Sequence, residues 1–171
     1  LRQPGVRIVI SERGPRSNDE VFATVHLTNP LKRRAYAQAY ANTMRSMPPM
    51  REILVLLDTS VDQSLERGKQ RGRPEEQSHT RDYYEQLHLA QEKMFTNFTG
   101  DKTRIDASRS REHVAAQLTT LVTSILNDGA EVPGTDYHVN LDVFPANGTC
   151  WRQLLLAMQR HGLSRAPPGI P

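Results

Sequence analysis

Ile53 to Leu57 reads Ile-Leu-Val-Leu-Leu, and this run constrains the fold more than any other feature of the chain. A strand with no polar residue on either face must be covered on both, as strands are in parallel sheets flanked by helices. Val6 to Ile10, apolar but for Arg7 and rich in β-branched residues, is expected to be buried in the same sheet. Ile105, within Thr103 to Ser108, marks a short third strand.

Helix signals separate these strands. Ser17-x-x-Glu20 has the capping-box form and predicts a short helix through Leu27. Asn29-Pro30 predicts a second start, followed by Leu31, Ala35, Tyr36, Ala39, Tyr40 and Met44 at helical spacing until Pro48-Pro49 stops it. Ser60-x-x-Gln63 opens a helix carrying Leu65. Tyr84, Leu87, Gln91, Met94 and Phe98 line a long amphipathic helix, with Tyr83 and Ala90 widening its apolar side. Val114, Leu118, Leu121, Val122 and Ile125 line the last, which ends at Asn127-Asp128-Gly129. The alternation predicts an α/β fold, a parallel sheet with flanking helices. Beyond Gly129, Pro133, Gly134, Pro145 and Gly148 break the chain into loops, with a short helix over Trp151 to Gln159. The chain thus divides into a domain over 1–126 and an irregular C-terminal extension over 127–171.

Composition narrows the setting. A 37% hydrophobic and 24% charged chain is of the soluble globular kind. A net charge of +3 is too small to argue for nucleic acid, and no apolar run is long enough to span a membrane. The chain has no signal-peptide pattern, and its single cysteine, Cys150, cannot form an internal disulfide. These features favour a cytoplasmic setting, with the mitochondrion as alternative. The sequons at Asn97 and Asn147 need a secreted context and are discounted. The histidines have no metal-ligand spacing, and no G-x-S-x-G elbow is present. The chain opens on Leu1 and enters a strand almost at once, which suggests that something upstream has been left off.

Two constellations carry chemistry. Ligands of parallel α/β sheets sit beyond the carboxyl ends of the strands, where Glu12-Arg13 follows the first run and Asp58-Thr59 the second. Spacing alone leaves two readings: an active-site rim, or an ion pair sealing the sheet end. Arg67, Lys69, Arg71 and Arg73 form a basic cluster beside Glu66, Glu75 and Glu76. Gly68 and Gly72 argue against a solvated surface helix and for a mobile arm. Several arginines on such an arm suit a phosphate-handling lid, because the guanidinium binds oxyanions in bidentate fashion.

Together these stretches resemble the deoxynucleoside kinase family. "ERGPRSNDEVFA" is similar to its "ERS…SD…F" segment, "RGRPEEQ" to its arginine-rich lid and acidic pair, "YYEQLHLAQEKMF" to the helix after the lid, and "RIDAS" to its last strand. The match covers roughly residues 6 to 126. The resemblance implies a P-loop-kinase-like fold and transfer of the ATP γ-phosphoryl group to a deoxynucleoside 5′-hydroxyl, with Mg²⁺. It implies Glu12 near the Mg²⁺ and phosphates, Arg13 at the 5′-hydroxyl, and Arg67, Arg71 and Arg73 closing over the donor. Glu76 would accept from the sugar 3′-hydroxyl, Phe22 would stack on the base, and Asn18 would face it. It also implies a homodimer, with Leu31 to Met47 as the candidate contact and core packing as the alternative for its apolar stripe.

Gly14 stands where the family has serine, and Asn18 where it often has aspartate. No G-x-x-x-x-G-K-[ST] phosphate loop occurs in the sequence, so the family's first βαβ unit and its catalytic base are expected upstream. A thymidylate-kinase-like monophosphate kinase and an inactive kinase-like interaction module are the alternatives.

Overall fold

The structure is a computed structural model, and it describes residues 8–47, 49–128 and 137–143. Four parallel strands run in the order β1 (Ile8–Glu12), β4 (Tyr137–Val143), β2 (Arg51–Asp58), β3 (Asp101–Asp106). Three contiguous helical stretches come after β1: α1 (Pro15–Ser17), a π-turn (Asn18–Ala23) and α2 (Thr24–His26). Then come α3 (Pro30–Ser46), α4 (Val61–Arg71), a 3₁₀ turn (Pro74–Glu76), α5 (Arg81–Asn97) and α6 (Arg111–Asp128). The architecture is the expected α/β one, a parallel sheet flanked by helices.

β2 is covered on both faces, as its composition requires. Ile53, Val55 and Leu57 pack with Ile105, Val139 and the Val114, Leu118 and Ile125 face of α6. Leu54 points the other way, into Tyr84, Leu87 and Met94 of α5 and Val21 of the π-turn. Truncating any of these side chains would remove transfer free energy and leave a cavity, at about 2–5 kcal/mol.

Two of the expected helix starts form as read. Asn29 Oδ1 accepts from the Leu31 and Lys32 amides at 2.9 and 3.2 Å. Ser60 Oγ accepts from the Gln63 amide at 3.2 Å. Lys102 Nζ closes the far end of α5 by donating to the carbonyls of Phe95, Thr96 and Phe98 at 2.7–3.0 Å.

Several expectations are corrected. β1 is paired on one side only among the described residues, and Val9 is 42% exposed rather than buried. Ser17 does not cap a helix: Pro15 starts the helical segment, with Gly14 ahead of it, and Glu20 pairs with Arg16 at 2.8 Å. The apolar stripe of α3 does not enter the core. The helix has no buried residue, and Leu31 is 78% exposed. Residues 137–143, expected to be irregular, form β4 between β1 and β2. The helix expected over Trp151 to Gln159 lies outside the described residues.

The reading of the two glycines as helix-breaking is corrected: residues Val61–Arg71 form a helix. Gly68 lies inside α4 and is buried, because the helix must clear Tyr84. Gly72, at φ 62°, ends α4 in the left-handed conformation that glycine adopts without strain.

At the outer edge of the sheet, Arg104 donates to Asp58 at 2.8 Å and to Glu92 at 2.7 and 2.8 Å, joining β2, β3 and α5. The Arg104 hydrogen bond holds the Glu92 carboxyl below its ordinary 4.5, against a burial effect of opposite sign. A carboxyl lowered in the fold contributes stability above its ordinary value and loses it as pH falls through the lowered one. Urea midpoints of wild type and Glu92→Gln should therefore differ at neutral pH and converge below pH 4.5; a constant gap would contradict this. At Gly68, an added Cβ would stand 2.2 Å from Tyr84 Oη and 3.3 Å from Cζ. Gly68→Ala gains about 1 kcal/mol of helix propensity but incurs about 1–3 kcal/mol of overpacking. Its melting temperature should fall, and should recover in part when Tyr84→Phe removes the clashing oxygen.

Candidate active site

Glu12 is the last residue of β1, and Arg13 then turns at φ 56°. For a residue with a Cβ, that left-handed backbone costs about 1–2 kcal/mol, a strain that collects at functional sites. The turn sends the Arg13 guanidinium over the Phe22 ring, 4.4 Å from its centroid, where Arg13 Nε is buried without a hydrogen bond among the described residues. Phe22 is held there by the π-turn, a widened coil that recurs at binding sites. Fully buried Ser17 and Val21 seat the segment. Asn18 is exposed, and its Nδ2 donates to the Arg13 carbonyl at 3.3 Å.

The second wall comes from the end of α4 and the 3₁₀ turn. Arg71 Nη2 stands 2.8 Å from Glu76 Oε2, and the two side chains are only 6% and 9% exposed. The distance is that of a hydrogen bond but the alignment is not: Arg71 Nε and Nη2 and Glu76 Oε2 have no hydrogen-bond partner among the described residues. The pair is held by charge, in a place where losing either partner would strand the other. Arg73, half exposed, reaches Glu76 Oε1 at 3.5 Å. Arg67 points elsewhere and donates to the Ala107 carbonyl beyond β3 at 2.8 Å.

Aromatic side chains join the two walls. Phe22 stacks with His26 at 6.4 Å, His26 meets Tyr83 at 5.4 Å, and Tyr83 meets His79 at 4.2 Å. Tyr83 Oη and His26 Nε2 share a hydrogen bond at 3.2 Å. Burial pushes the Tyr83 phenol up, while Arg13 pulls it down and Tyr84 and Glu76 push it further up. Tyr83 therefore feels both Arg13 and Glu76. Burial and Glu76 also push the Tyr84 phenol up, against the charge and hydrogen bond of Arg71.

The fold thus brings Arg13, Phe22, Arg71 and Glu76 around Tyr83 and Tyr84, with Arg73 reaching Glu76 from the exposed side. Glu12 sits one residue behind Arg13, Asn18 is tied to the Arg13 backbone, and Arg67 is directed to the end of β3. Periodicity alone assigns Tyr83 and Tyr84 to the apolar side of a helix, and leaves His26 and His79 as surface residues. Their signal is the unusual density of aromatics and histidines near the "EE" pair, which helical periodicity masks. Elsewhere, Asp58, His88 and Glu92 place ligand atoms within 4.8 Å of one another. Arg104 already supplies a cation to both carboxylates there.

The chemistry open to such a cluster is set by its parts. A flat ring under a guanidinium suits a heteroaromatic ligand, a buried carboxylate suits a hydroxyl donor, and arginines beside it suit an oxyanion. No helix of the described residues is long and apolar enough to cross a membrane. No curated protein and no solved structure matches the chain. The family model for deoxynucleoside kinase matches residues 4–127, a span that includes both walls of the cluster. With most of its length matched by that model, the chain belongs to the deoxynucleoside kinase family.

Proposed function

We propose that the chain supplies the nucleoside-binding and lid side of a deoxynucleoside kinase, which moves the γ-phosphoryl group of ATP to the 5′-hydroxyl of a deoxynucleoside. The observation that carries this is the pairing of an aromatic ring, Phe22, with a buried carboxylate, Glu76, across Tyr83. A nucleoside has a flat base at one end and sugar hydroxyls at the other, and the two groups suit those two ends. Arg13, beside Phe22, is placed to bind a 5′-oxygen as it gains charge. Asn18 offers an amide that both donates and accepts, which suits a base edge.

Magnesium and ATP fit the donor set. Glu12 offers the hard carboxylate oxygen that Mg²⁺ takes, and Arg71 and Arg73 offer the planar donors that phosphates take. Bound Mg²⁺ would supply positive charge to offset that of the donor phosphates. Arg67 would join the lid arginines on leaving the Ala107 carbonyl. The given sequence contains no glycine-rich phosphate loop, so these arginines are its proposed phosphate-binding groups. The exposed α3 is the proposed homodimer contact.

The test is to incubate the natural full-length protein, with the upstream segment expected to carry the phosphate loop, with ATP and Mg²⁺ and assay 5′-monophosphate formation from deoxynucleosides, ribonucleosides and nucleoside monophosphates. Phosphorylation of deoxynucleosides is expected, and exclusive use of monophosphate acceptors would overturn the reading. Glu76→Gln removes a charged hydrogen-bond acceptor worth about 1.5–3 kcal/mol. Its KM for the nucleoside should rise by roughly tenfold to a hundredfold; an unchanged KM would remove Glu76 from sugar binding.

A further inference from the structure

Glu76 and Arg71 have separate duties in the proposed reaction, one toward the sugar and one toward the phosphates, yet here each is the other's partner. Their side chains are 9% and 6% exposed, and the atoms that face each other make no aligned hydrogen bond. Poor alignment at short range marks a pair held by charge that could exchange for better-matched partners. Phosphate oxygens are such a partner for the guanidinium, and a hydroxyl is such a partner for the carboxylate.

Neither exchange is favourable alone. Moving Arg71 onto a phosphate leaves Glu76 in a buried place with only the more distant Arg73, at 3.5 Å, to offset its charge. Delivering a hydroxyl to Glu76 while Arg71 stays in place brings it to a carboxylate whose charge is already offset, and it gains a weaker hydrogen bond than from the unpaired carboxylate. If both ligands arrive, both groups are satisfied. Tyr84 stands beside the exchange. It is 1% exposed, its hydroxyl lies over Gly68, and it hydrogen-bonds to Arg71.

Resting on the kinase reading above, we propose that Glu76 holds Arg71 in the empty site and trades it for the sugar hydroxyl. Nucleoside and phosphate binding are thereby coupled, and Tyr84 is the positioning residue that keeps Arg71 on the Glu76 side. The coupling is reciprocal, because each ligand bears the cost of parting the same pair unless the other is present. The lid then has a built-in order: it becomes free to grip phosphate when the acceptor is in place. A consequence is that phosphate binds weakly without an acceptor, which limits transfer to water.

The experiment uses inorganic tripolyphosphate as probe, titrated calorimetrically into the protein with and without each of the four deoxynucleosides at saturation. Wild type should bind tripolyphosphate about tenfold more tightly once a deoxynucleoside is present. Glu76→Gln should bind it about tenfold more tightly with no nucleoside, and should gain nothing further from one. Tyr84→Phe, which keeps the ring, should shift the nucleoside-free affinity in the same direction, and a merely structural role for the hydroxyl would leave it unmoved. Unchanged or weakened tripolyphosphate binding in Glu76→Gln overturns the proposal, as does absence of binding in both proteins. Should Glu76→Gln not fold, Tyr84→Phe decides: an affinity equal to that of wild type overturns the proposal. Failure of every deoxynucleoside to bind wild type would instead sink the kinase reading. A gain in tripolyphosphate affinity in Glu76→Gln would in that case still establish that Glu76 restrains the lid arginine.

Discussion

Covering Ile53 to Leu57 on both faces is the constraint on which the molecule depends. A buried strand with side chains on two sides needs a helix on each, and α5 and α6 are those helices. The α5 cover has a second effect. Its inner face begins with Tyr83 and Tyr84 before it reaches Leu87 and Met94. The helix that seals Leu54 therefore also delivers two phenols to the neighbourhood of Arg71 and Glu76. The site is an extension of the core, and its position is set by hydrophobic burial along β2.

Electrostatics then divides the arginines by what they can reach. Arg104, Arg16 and Arg67 are held by carboxylates or a carbonyl that link separate elements. Such contacts fix strand ends and helix ends to one another. Arg13 and Arg71 differ, since both carry buried nitrogen atoms without hydrogen-bond partners among the described residues. Buried polar groups are nearly always satisfied in native proteins, so among the described residues these two are the arginines with buried hydrogen-bonding capacity left over.

Much of this is legible from residue types alone. β2, the caps at Asn29 and Ser60, and the α5 and α6 stripes declare themselves through short-range rules that tertiary structure has no reason to overrule. The Glu12-Arg13 step is legible as a strand end, though not the backbone twist that aims Arg13 at Phe22. Gly68 misleads because a glycine among arginines reads as flexibility, whereas its missing Cβ makes room for a tyrosine from another helix. Ser17 misleads because a capping pattern is local, and Gly14-Pro15 has already begun the turn. The β4 strand is hidden for a different reason. Tyr-His-Val-Asn-Leu-Asp-Val alternates, as a half-buried strand does, and does not show the continuous apolar run expected at the centre of a parallel sheet. The pairing of Glu76 with Arg71 has no short-range signature beyond five residues of separation and a turn between them.

The place of β4 in the sheet also bears on how the chain acquires its shape. Among the described residues, β1 pairs with β4 and with no other strand. The described backbone partners of β1 therefore lie near residue 140, a contact of long sequence separation of the kind that slows folding. During synthesis, β2, α5, β3 and α6 can consolidate before β4 is made, while β1 still lacks that partner. Among the described residues, the strand that ends at Glu12 depends on the strand latest in the chain for its pairing.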